Sequence, residues 1–363
     1  MNNTKFKNVE FLRIIGCIAI VMFHLSSCVH SLHTVADIKF YNHLNNNTLN
    51  GMIAVDLFFI LSGFFFMYKS DFQKSIWEFL KKKLIRLYPL FIFLLGISFL
   101  ISMIFQIYEF NFYQAILTLF GFNGTSLSLN LGLYPEIHLF WYVSAMLWVL
   151  MFYYYLYQNF SEKCVNLTII ILTYISYSIL VPFIWANWEP FYGIINSGML
   201  RAIGGIGVGV LIANWNKKYK IPIREFSINR FGQLLITIIE FMCLYFIINN
   251  LILHSIKFDN KFLFVVVFAL TLVLFLTNKG WISRMLNRNI FVNLAQYTYS
   301  IYLSHGLVIL ILWSTLWKTH NHLVHQYPVL NFVLTLVLIL IIGVILHYSV
   351  ENPATKYLKE KIK

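Results

Sequence analysis

The stretch "FLRIIGCIAIVMFHLSS", Phe11 to Ser27, decides how the chain is read. It is apolar and long enough to cross a hydrocarbon core of about 30 Å as a helix, which takes roughly 20 residues. It nevertheless carries Arg13 and His24, and ionisable side chains inside a membrane segment are costly unless they serve a site. Eleven residues make three helical turns plus about 20°, so both side chains project from one face, ~16 Å apart along the axis.

Working outward, apolar stretches of similar kind recur at 9–29, 51–68, 84–106, 137–157, 165–186, 199–213, 232–253, 261–277, 294–317 and 329–349. Of the 363 residues, 59% are hydrophobic and 11% charged, a balance far too apolar for a soluble domain. The expectation is an all-α integral membrane protein, a bundle of about ten transmembrane helices forming one domain over residues 1–363, with no appended soluble domain. The first segment is too long for a cleaved leader, carries Arg13 and lacks a small-residue cleavage site behind it.

Charge sets the sidedness. With ten crossings and a cytoplasmic N-terminus, 21 of the 27 Lys and Arg residues fall on inner connections and tails, as the positive-inside tendency requires. Lys39, Lys257, Lys261 and Lys318 fall outside, and Arg13 and Arg201 lie within segments. Both termini are therefore expected in the cytoplasm. The net charge of +13 is accounted for by topology and anionic lipid, and nucleic acid is not required as a partner. Cys17, Cys28, Cys164 and Cys243 have no paired spacing and read as small apolar residues.

The second segment places Asp56 near the depth of His24, where a carboxylate could orient the imidazole of a general base. The third opens with "FLKKKLIRLYPLF", Phe79 to Phe91. Lys81 and Lys82 read as a positive-inside signal, whereas Lys83 and Arg86 share a helical face and suit the phosphates of a nucleotide-like donor. Glu136 and His138 open the fourth segment in "YPEIHLFWYVSAM". Arg201 opens the sixth at its outer end, where sidedness does not explain it. Gly205 and Gly209 then read as a close helix-packing face. Glu240 and His305 also lie within segments, and spacing assigns neither a role. The aromatics of Tyr108–Gln114 and Trp185–Gly193 fit an interfacial belt or sugar-stacking platforms. His320, His322 and His325 read as an exposed loop, and no metal site is expected.

Taken in order, these residues resemble the acyltransferase 3 family, multi-spanning proteins that attach acyl groups to hydroxyls of bacterial surface glycans. "LRIIGCIAIVMFH" is similar to that family's Arg, ten residues, His pattern, and "VDLFFILSGFFF" (Val55–Phe66) to its second-helix signature. "KKKLIRLYP" resembles its basic entry to the third helix, "HLFWYVSAM" its fourth, "YTYSIYLSH" (Tyr297–His305) its ninth and "HYSVENP" (His347–Pro353) its closing Glu-x-Pro. The correspondence runs from about residue 7 to 355.

The resemblance implies an acetyl-CoA-dependent O-acetyltransferase of the cell (inner) membrane. It would move an acyl group from cytoplasmic acyl-CoA to an extracytoplasmic or lipid-linked glycan. His24 becomes the catalytic base or acyl-handling residue, and Arg13 lies on the donor side, holding the thioester end or an anionic part of CoA. Asp56 orients the imidazole, while Lys83 and Arg86 hold the donor phosphates. Where the family usually has two arginines three apart, Lys83 keeps charge but loses bidentate geometry. Glu136, His138, Arg201, Tyr302 and His305 are the candidate acceptor contacts, and Ser62, Tyr302 or Arg13 the candidate donors to a developing oxyanion. The lipid bilayer is the medium and the glycan the acceptor; a homo-oligomer or a glycan-assembly partner stays open. The rival reading is a transporter, which calls for an internal repeat and paired broken helices; the two halves show no convincing correspondence. A non-catalytic sugar binder would make His24 dispensable.

Overall fold

The computed structural model describes residues 6–31, 43, 46–105, 112–122, 140–182, 196–225, 228–253, 261–312, 324 and 326–361. Among them there is no strand. This is what a lipid-immersed backbone requires, since each N–H and C=O must be satisfied within its own segment. The helices are α1 (Lys7–Ser31), α2 (Ala54–Lys69, entered through a 3₁₀ turn at Leu49–Ile53), α3 (Ile76–Phe105), α4 (Phe112–Leu119), α5 (Trp141–Asn159), α6 (Glu162–Leu180) and α7 (Ser197–Glu225). They continue with α8 (Arg230–Ile248), α9 (Phe262–Thr277), the short α10 (Trp281–Met285) and α11 (Asn289–Ala295), α12 (Thr298–Leu312), α13 (Pro328–Leu346) and α14 (Asn352–Lys361). A π turn, Asn249–Leu253, extends α8, and a second, His347–Glu351, joins α13 to α14.

Among the described residues, seven helices are long and apolar enough to cross a membrane: α1, α2, α3, α6, α7, α8 and α13. Of the other three apolar stretches, 261–277 forms the shorter α9, and 137–157 and 294–317 contain α5 and α12. The sixth stretch is longer than its apolar run, because α7 continues through Lys217 and Lys218 to Glu225.

Burial sorts the helices into layers. About 72% of the apolar window of α2 and 67% of that of α7 are buried, against 22% for α8. The centre is therefore α2 on α7, with α1, α5 and α9 around them. The outward faces of α3, α6, α8 and α13 carry large apolar side chains, among them Ile104, Tyr174, Met242 and Leu334, as lipid contact demands.

Glycines permit the central approach, as their spacing leads one to expect. A Cβ at Gly63 would run into the Ile206 carbonyl, and one at Gly209 into the Ile60 carbonyl and the Phe64 amide. Without hydrophobic drive between helices in lipid, such small-residue contact carries much of the association. Across this interface Arg201 and Asp56 form a buried ion pair. Glu240, on α8, accepts a hydrogen bond from the Ser283 amide at 3.1 Å and lies against Gly280. It thereby satisfies an N-terminal amide of α10 and offsets its partial positive charge. Cys17, Cys164 and Cys243 are free thiols.

Candidate functional site

Five helices enclose one pocket: α1 supplies Arg13, α2 supplies Phe58, Leu61, Ser62, Phe65 and Lys69, and α3 supplies Lys83, Arg86 and Leu87. The remaining wall comes from Tyr142, Val143 and Met146 of α5 and from Thr298, Tyr299 and Tyr302 of α12. Its volume of about 130 Å³ is comparable with engineered cavities that take up a benzene-sized molecule. A small acyl group and the end of its arm fit; a nucleotide does not, and would have to stay at the mouth.

The charges are graded along it. At the basic end of the bundle, Lys69 and Arg86 are partly exposed residues, and Lys83 lies over the Phe79 ring, 5.4 Å from its centroid. Arg13 is deeper. Its Nη1 donates to Glu10 Oε2 at 2.7 Å and its Nη2 to Thr298 Oγ1 at 3.3 Å, so its guanidinium is held in place and turned to the cavity. At the far end Phe58, Tyr142 and Tyr302 meet ring to ring, with centroids 5.6 to 6.2 Å apart. The Tyr142 hydroxyl lies 3.0 Å from Ser62 Oγ. This end offers hydroxyl donors in a low-dielectric setting, where they are worth more than in water.

Tyr302 also meets the ring of His305 at 5.8 Å, and His305 packs on His24 with centroids 5.0 Å apart. His24 Nδ1 is 3.0 Å from the Ile20 carbonyl and 3.3 Å from His305 Nε2. Tyr302 thus connects the donor-side cavity with a pair of histidines.

The expected residues divide accordingly. Arg13, Lys83, Arg86, Ser62 and Tyr302 gather in one pocket, and His24 and His305 meet next to it. Asp56 is engaged by Arg201. Its carboxylate accepts from Arg201 Nε at 3.2 Å on both oxygens and from Nη2 at 2.8 Å, so it clamps α2 to α7, and the imidazole found against His24 is that of His305. Arg201 is committed to the same clamp. Its Nη2 donates to the Met52 carbonyl at 2.9 Å, its guanidinium covers Trp141, and it is buried. Glu136, His138, His320, His322 and His325 lie outside the described residues, as does the Trp185–Gly193 aromatic run. Sequence reasoning missed Lys69, Tyr142, Thr298 and Tyr299 as pocket residues; only the tyrosine-rich runs around Tyr142 and Tyr299 offered a signal. Among the described residues, no group of three or more His, Cys, Asp or Glu could hold a metal ion.

Fold and site together define a helical membrane protein with a cationic, aromatic-ended pocket leading to the buried His305 and the half-buried His24. The chain belongs to the acyltransferase 3 family, whose acyltransferase domain it matches over residues 6–348. It is by that membership a membrane acyltransferase. No curated protein and no solved structure matches it.

Proposed function

We propose that the protein moves an acyl group, acetyl by default, from cytoplasmic acyl-CoA to a hydroxyl of an extracytoplasmic or lipid-linked glycan. Ten helices cross the inner membrane in this reading, and both ends are cytoplasmic. The observation that carries it is the pocket. Four cations, Arg13, Lys69, Lys83 and Arg86, grade inward to an aromatic end sized for a short acyl group, from which Tyr302 leads through His305 to His24. A donor with phosphates at one end and a thioester at the other matches that gradient.

In this mechanism Arg86 and Lys69 hold donor phosphates at the mouth, with Lys83 as a point charge beside them. The arm lies along Leu61, Phe65 and Met146. Arg13 orients the thioester end. His24 takes the proton of the attacking hydroxyl as a new C–O bond forms to the thioester carbon. The C–S bond then breaks and the thiol leaves with that proton. Hydroxyls of Ser62 and Tyr142, or the Arg13 guanidinium, stabilise the oxyanion between the two steps.

The test is transfer in proteoliposomes, with acetyl-CoA labelled in the acyl group on the basic side and a glycan acceptor on the other. Label in an ester on the acceptor is the expected result. Intact labelled acetyl-CoA crossing to the acceptor side, with no ester, would make this a transporter.

A further inference from the structure

We infer that His305 is the positioning residue of His24, filling the place in which a carboxylate usually orients a general base. The inference rests on the reading above, in which His24 is that base.

Hydrogen-bond bookkeeping supplies the argument. A backbone carbonyl can only accept, so the 3.0 Å contact between His24 Nδ1 and the Ile20 oxygen requires the proton to be on Nδ1. The same N–H lies 3.3 Å from His305 Nε2, which must then present a lone pair. His305 agrees with this from its own side. Its ring is fully buried, with the carbonyls of Ile301 and Tyr302 beside it, and its Nδ1 has no well-formed hydrogen bond among the described residues. With the lone pair on Nε2, a neutral imidazole carries its proton on Nδ1. Both rings therefore settle in the Nδ1–H tautomer, and the basic nitrogen of His24 is Nε2.

The consequence is directional. When His24 Nε2 takes the acceptor's proton, the imidazolium keeps its Nδ1–H shared between the Ile20 oxygen and the His305 lone pair. No other proton moves, and His305 remains neutral. A neutral acceptor costs less to bury than a carboxylate. The chain has a carboxylate on the neighbouring helix, Asp56, and commits it to Arg201 instead. The contact also fixes where the two helices stand, because His24 is on α1 and His305 on α12.

The experiment compares the intact chain with His305→Gln and His305→Leu in proteoliposomes. Glutamine can place an amide oxygen near the Nε2 position; leucine keeps the bulk and removes the acceptor. Turnover is read as kcat and as KM for acetyl-CoA. A second readout needs no acyl transfer: the rate at which diethyl pyrocarbonate modifies His24, followed by mass spectrometry of its peptide.

The expected result for leucine is a kcat lower by about 10- to 100-fold, the usual effect of losing an orienting partner, with KM unchanged and slower modification of His24. Glutamine should restore most of both. Leucine behaving like the intact chain in both readouts would overturn the inference, as would glutamine failing as badly as leucine. An intact chain without transfer sinks the acyltransferase reading, while the modification rates still test the pair.

Discussion

Replacing Asp56 by alanine leaves the Arg201 guanidinium inside the bundle with the Met52 carbonyl at 2.9 Å and the Trp141 face at 5.6 Å as its remaining named contacts. The carboxylate takes three N–H···O contacts of 2.8 to 3.2 Å, and both side chains are at most 3% exposed. Stripping one partner from such a buried pair costs about 3–5 kcal/mol, because the remaining charge stays desolvated. That is roughly a 150- to 5,000-fold shift toward unfolding. Removing both charges, as in Asp56→Leu with Arg201→Met, should recover most of the loss, since a hydrophobic replacement of a buried pair is often near neutral. The assay is the apparent midpoint of thermal aggregation of detergent-solubilised protein, measured together with transfer activity. The single variant should lose midpoint strongly and the double variant little. If Asp56→Ala keeps the wild-type midpoint while transfer disappears, the clamp account is wrong and the carboxylate belongs to the chemistry.

Three further outcomes follow from the same geometry. Arg86→Gln should raise KM for acetyl-CoA by about 10- to 100-fold, the loss of a charge-assisted hydrogen bond, and weaken its salt dependence; an unchanged KM would remove Arg86 from the donor site. Lys83→Arg should be tolerated better than Lys83→Met in the same titration, because charge at that position matters more than fork geometry. Gly209→Val should force α2 and α7 apart, costing about 1–3 kcal/mol or more in the aggregation midpoint, whereas Gly96→Val on α3, with open space around its Cβ position, should not destabilise through packing.

How much of this was legible in the sequence depended on how far apart the partners lie along the chain. Arg13 and His24 could be set on one face because both are on α1 and the helical period relates them directly. Gly205 and Gly209 announced a close helix contact for the same reason, although not that α2 would be the partner. Lys83 and Arg86 could be assigned to one face of α3, and the pocket brings them to Arg13. Pairings between helices were not readable. Asp56 and Arg201 are 145 positions apart, so depth alone made His24 an equally good partner for the carboxylate. His24 and His305 are 281 apart. Nothing in the spacing of Glu240 indicated that it would cap α10. Lys69 looked like one more positive-inside charge until α2 and α3 placed it at the pocket mouth. The number of helices was bounded by hydropathy, but α9 and α12 are too short, and the tyrosine-rich α5 too weakly apolar, to settle as spans by themselves.

In the proposed mechanism His24 carries acyl transfer to a glycan hydroxyl. The most direct measurement is base-labile ester on the surface glycans of a strain lacking this chain, complemented either with the intact chain or with His24→Ala at matched membrane levels. The account predicts ester restored by the intact chain and absent with the variant, in line with the roughly 10²–10⁴-fold contribution of a general base. Equal ester from both would contradict it, leaving His24 as a packing residue and the mechanism without its base.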